Sequence, residues 1–192
     1  MFHLEYFDFG RGPVPAHRHI NPDGSIGGWV AETAYAAPTA YVGPDAQLFE
    51  KARAEDHVEL RDASRAYGSA ILQDHAQLTG KAIAGGTVRI MDWARVSRYG
   101  IVIDNARLAD RVLVTGRSWV GGNSKITGNV RIIENSHVGG NSQMNGRVLI
   151  SGNAFIEGRS RFEDRVTITG NTRILGQYRF RLGETVETGD FL

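Results

Sequence analysis

Apolar residues recur along this chain every six positions. Stepping by six from Val30 through Ala36, Val42 and Leu48 to Ile168, Ile174 and Phe180 visits 26 positions, and all are apolar. With 41% hydrophobic residues in the chain, such a run has a chance probability on the order of 10⁻¹⁰. Two residues before each of these sites the side chain is small or Val, from Gly28 to Thr172. Two residues after them, the 25 sites from Glu32 to Gly176 hold twelve Gly, ten Asp or Glu, two Pro and Arg98. That last composition is selected by a turn, where Gly, Asp and Pro each meet a backbone requirement. The pattern therefore predicts a short strand and a corner in every hexad.

Two inward side chains per hexad bury too little to fold alone, so hexads must wind into coils that stack at ~4.8 Å. Three hexads close a triangle, with the small residue near the vertex, the larger one inside, and the residue between them pointing out. From Val30 to Phe180 this predicts about eight uninterrupted coils, a prism roughly 40 Å long. The fold class expected is all-β, a single-stranded parallel β-helix over residues 27–182. Residues 1–26, with Phe2, Leu4, Tyr6, Phe7 and Phe9, are expected to fold as an aromatic cap over the first coil. Residues 183–192 lose the repeat and are read as a C-terminal cap or tail. Open solenoid ends need such covers, because their strand edges are unpaired.

Composition narrows the function. There are 22 Lys and Arg against 21 Asp and Glu, a formal net charge of +1. This argues against a uniformly basic nucleic-acid binder and against an acidic nucleic-acid mimic. With no Cys there is no disulfide, thiolate metal site or Cys nucleophile. The N-terminus has no basic and apolar leader pattern, and no run approaches 18 apolar residues, so a cytoplasmic protein without a membrane partner is expected. The glycines fall singly, ahead of strands, and form no phosphate-cradling loop.

The segment PDGSIGGWV at 22–30, followed by units such as GNVRII at 128–133 and GNAFIE at 152–157, resembles the YdcK-like group of hexapeptide-repeat proteins. The resemblance implies a left-handed helix, which periodicity alone does not, and trimeric assembly. It also implies frequent occurrence in phages and bacteria, and acyl-CoA-dependent acyl transfer as one activity. Transferases of this type carry an external loop that interrupts the coils and a His at the subunit boundary. This chain has no such loop, so a non-enzymatic structural or protein-binding role is the favoured reading. A hexapeptide acyltransferase is the alternative, and an inhibitor that blocks a host protein machine is a further one. No cofactor is expected.

Residues 18 apart stack on one face. The first face reads Trp29, Gln47, Arg65, Ile83, Ile101, Trp119, His137, Phe155, Arg173. Its stripe of Ile83, Ile101, Trp119 and Phe155 is the predicted interface of a homo-oligomer. The second face carries Arg89, Arg107, Lys125 and Arg161, a candidate anion-binding ladder. Asp92, Asp110 and Asp164 follow three of these residues by three positions, as Asp56 follows Arg53. Ion pairing with them is expected to solvate this face and to disfavour a nucleic-acid partner. The third face, with Tyr41, Glu59, Gln77, Arg95, Leu113, Arg131, Leu149 and Thr167, lacks the regular Thr array of an ice-binding surface.

The candidate catalytic groups are His57 and His75, which stack beside Asp56 and Asp74, together with His137. No third His is placed by the repeat to complete a metal site with the first two, so no metal is expected, and the HRH at 17–19 is read as tail. The columns Asn105, Asn123, Asn141 and Asn135, Asn153, Asn171 are expected to bond from coil to coil.

Overall fold

A computed structural model describes residues 5–192, and within them there is no helix. The chain is an all-β parallel solenoid with three strands per coil. Most strands are two residues long and lie six residues apart, and each pairs in parallel with those 18 residues before and after, as in Ile83 to Ile101 to Trp119. The alternation predicted from the hexads is realised: Ala52 and Ala54 are fully buried while Arg53 between them points to solvent. Three sheets form the walls of the prism, of 12, nine and nine strands.

The interior changes along the axis. Ala54, Ala66 and Ala84 alternate with Leu48, Leu60, Leu72 and Leu78 in the early coils, whereas Ile150, Ile156, Phe162, Ile168 and Ile174 fill the late ones. The inward small position shifts in parallel from Ala to Ser, Val and Thr. Ser118, Ser136, Ser142 and Thr172 remain buried because each hydroxyl donates to the carbonyl three residues back, at 2.7–2.8 Å.

About nine turns are present, which corrects the expected eight. Glu184–Val186 and Asp190–Phe191 add strands to the third and first faces. The hexad count stops early because the last strand pairs Ile174 with Phe191, 17 residues on. Stepping by six overshoots to Leu192, which is exposed.

At the other end, β1 (Glu5–Asp8) and β2 (Pro13–Ile20) form an antiparallel hairpin that pairs with β3 (Ile26–Ala31). The hairpin extends the first face and covers its edge. Its aromatics do not lie over the open coil as expected; Phe7 and Phe9 stack outside the prism, on Trp29 and Phe49 at 4.6 and 4.9 Å. The coil end is closed by polar groups instead. His19 Nε2 lies 3.0 Å from the Ala40 carbonyl, and the Val42 N–H donates to Asn21 Oδ1 at 2.8 Å. The HRH segment is thus structural at His19, where burial pushes the imidazole below its ordinary pKa. Phe2 and Leu4 lie outside the described residues.

At the vertices, ten non-glycine residues hold left-handed φ, seven of them Asp. Their carboxylates do not pair with the arginines three positions back. Asp56, Asp74 and Asp92 each accept the backbone N–H of the residue one coil on, at 2.9–3.2 Å. Arg53 pairs with Glu55 instead, at 2.6 Å. The expected ion pairs at Asp56, Asp92, Asp110 and Asp164 are absent because a carboxylate at positive φ already has a backbone donor within reach, one coil away. Asp74→Ala is therefore expected to lower stability by about 1–2 kcal/mol, losing that bond and placing a Cβ at φ 58 without compensation. Asp74→Gly recovers the conformational part, and urea midpoints of the two variants measure the difference. The two Asn columns bond as expected, with amide contacts of 2.9–3.2 Å.

Candidate functional site

Three surfaces carry the residues singled out above. On the first face, Trp119, His137 and Phe155 form a continuous ring stack with centroids 4.2 and 4.3 Å apart and planes within 12°. Ile83 and Ile101 continue this column toward the N-terminus, and all five side chains are half-buried on a flat sheet. His137 Nε2 is 2.7 Å from Glu157 Oε1. Glu157 carries no role in the sequence reading; it lies one coil on and two residues along, a diagonal that column listing does not pair. Trp119 lies flat over Gly121 and the Glu157 carboxylate lies over Gly139, so a Cβ at either glycine would collide with it. The stripe is thus recessed into the sheet by its glycines. An imidazole held by a carboxylate and sandwiched between rings is oriented, and it is the one His of the three candidates with an acid partner among the described residues.

His57 and His75 lie elsewhere, on the vertex between the second and third faces, opposite the first face. Their rings stack face to face at 5.4 Å, and His75 stacks in turn on Trp93 at 4.2 Å. Face-to-face stacking aims the ring nitrogens outward rather than toward a shared point, and among the described residues no group of three His, Asp or Glu is arranged to hold a metal. The three His candidates therefore do not form one site. Trp93, which the sequence reading passed over, closes the stack; its signal was its position 18 residues after His75.

On the second face, Arg89, Arg107, Lys125 and Arg161 are exposed. Among the described residues none of them has a carboxylate within ion-pair distance. The largest concavity, about 600 Å³, is an open trough on the third vertex between Lys81, Arg98, Tyr99, Arg117 and Glu134. An apolar notch of about 350 Å³ under the hairpin is lined by Phe9, Val14, Pro15 and Phe49, with the Arg11–Glu50 pair at its rim. Neither contains a candidate catalytic His.

Compared with protein-family models and with curated proteins, the chain matches none.

Proposed function

We propose that this protein is a non-enzymatic scaffold, a rigid left-handed β-helix of the YdcK-like kind, that self-associates through its first face, with a trimer as the favoured assembly. The observation that carries this reading is the apolar column Ile83, Ile101, Trp119, His137, Phe155, five consecutive rungs without an Arg, Lys, Asp or Glu. At ~4.8 Å per rung the column spans about 20 Å of flat sheet, the kind of continuous apolar patch that marks a contact surface. A flat wall costs little reorganisation on association, because the backbone that presents it is bonded on both sides.

A second reading is supported by one feature of the same face. The His137–Glu157 pair would serve as an oriented general base if an acyl thioester lay between subunits, as in hexapeptide acyltransferases.

Light scattering on the native chain and on Trp119→Glu tests the proposal. The native chain is expected at three times its 21.0 kDa mass. Trp119→Glu places a charge in the middle of the stripe and is expected to weaken association at least roughly tenfold, giving monomer at micromolar concentration with an unchanged circular dichroism spectrum. A native monomer overturns the reading.

A further inference from the structure

We infer that the vertex between the second and third faces, from Trp93 to Arg165, is a binding strip for single-stranded nucleic acid. Residues 18 apart along this edge read His57, His75, Trp93, Arg111, Asn129, Arg147, Arg165, a run of stacked rings that passes into cations. Trp93 ends the ring stack and is 61% exposed. Beyond it a notch of about 430 Å³ is lined by Asp92, Trp93, Asp110, Arg111, Gly128 and Asn129. One flank of the vertex then opens into a groove of about 320 Å³ that includes Arg131, Arg147 and Arg165. The other flank holds Lys125 and Arg161 in a shallower groove of about 180 Å³.

Three features make this edge more than a scatter of surface arginines. The first is the change of residue at the left-handed turn position. Asp56, Asp74, Asp92 and Asp110 occupy it in the early coils and Gly128 and Gly146 occupy it next, with φ of 89° at both. Glycine meets the same backbone requirement without a charge, and it does so beside Arg111, Arg147 and Lys125. The Asp92 and Asp110 carboxylates at the notch each have one oxygen engaged by the N–H of the next coil. The second is the lack of neutralising partners. Among the described residues, Arg111, Lys125, Arg131, Arg147, Arg161 and Arg165 have no salt bridge. Glu163, the nearest acid along the second face, is taken by Arg179 at 2.7 Å, which holds its carboxyl below the ordinary range. The third is segregation of charge along the axis. Residues 97–182 contain 13 Lys and Arg against 6 Asp and Glu, which the overall charge of +1 conceals.

The ring is what selects the partner. An unpaired indole face beside a guanidinium stacks a planar base, and cations spaced along the next coils track the phosphates that follow it. A duplex keeps its base faces covered, and this prism has no helix or projecting ribbon to enter a groove. From Trp93 to Arg165 is four coils, about 19 Å at ~4.8 Å each, long enough for a short stretch of extended strand. The strip lies opposite the first face and stays in solvent when that face associates, so it does not depend on the scaffold reading.

The test is fluorescence anisotropy with a labelled thymidine oligomer of about 12 nucleotides, against a duplex of equal length and linear polyphosphate. Binding is expected to favour the single strand and to weaken linearly in log salt. Trp93→Ala is expected to weaken it about 5- to 150-fold, the range for one base–aromatic stack, and Trp93→Phe to retain most of it. The double variant Arg147→Gln, Arg165→Gln is expected to lower both affinity and salt dependence. All four changes are at exposed sites, and unchanged thermal melting confirms that each variant is folded. No binding at low salt overturns the inference. So does equal binding of polyphosphate with no effect of Trp93→Ala, which would mark a generic cationic surface.

Discussion

Ala154→Asp is expected to unfold the C-terminal coils while the N-terminal ones stay folded. Ala154 has no solvent exposure, and its Cβ enters the prism beside those of Ser136 and Thr172, one coil away on either side. Those two neighbours show what this position accepts. Ser136 Oγ donates to the Ile133 carbonyl at 2.7 Å, and Thr172 Oγ1 to the Thr169 carbonyl at 2.8 Å. The local acceptors are carbonyl oxygens, which suit a hydroxyl and repel a carboxylate that only accepts. The aspartate must then stay charged without a partner or be protonated at a cost, a loss of about 3–5 kcal/mol by analogy with breaking a buried charge pair. Because each coil contacts only its neighbours, the loss is local. The melting curve is expected to split, with an early phase and limited proteolysis beyond about residue 145. Ala154→Ser is expected to melt with the native protein. Identical melting of the Asp variant would refute the assigned inward position.

The hexad pattern carried the fold because each wall repeats one instruction: small residue in, any residue out, large residue in, then a turn. Burial at Ala52, Ala54, Ala70 and Leu72 follows directly from that alternation. What the pattern left unread lies where a side chain has a choice of direction. Asp92 was paired on paper with Arg89, three residues away, but its carboxylate turns along the vertex to the Asp110 N–H at 2.9 Å. A sequence column shows which residues are neighbours and is silent on which of two neighbours a flexible acid takes. The same limit hid Glu157, whose contact with His137 runs diagonally across two columns. Trp93 was legible but belonged to a column read only for His and Asp. The final turn was missed because its spacing is 17, a one-residue slip that a strict step of six rejects. Charge segregation was present in the composition all along, concealed by adding the two halves. It became informative once the carboxylates were found bonded to backbone, because the cations they had been expected to neutralise were left unpaired.

Phe162→Ala is expected to cost about 3–5 kcal/mol, at the upper end for a core truncation. Phe162 is the largest fully buried side chain of the prism, and its ring lies parallel to that of Phe180 at 5.1 Å. The cavity left by its removal cannot close, since Met144 below and Phe180 above belong to strands held in register by the sheet on both sides. A globular core relaxes by shifting an element toward the void; here each wall strand is bonded to two others, so relaxation would break main-chain bonds. The position also matters. In the N-terminal half, Leu48 sits beneath β1, β2 and β3, whose antiparallel pairing ties that end together. The C-terminal end has only the short strands Glu184–Val186 and Asp190–Phe191 over it. Phe162→Ala is thus expected to lower the midpoint of the C-terminal coils selectively, seen as early amide exchange beyond about residue 144, whereas Leu48→Ala lowers protection across the first coils only. Phe162→Leu retains most of the volume and is expected to recover at least half the loss. Uniform loss of protection along the chain in the Phe162→Ala protein would show instead that the prism unfolds as one cooperative unit, in which the ends do not differ.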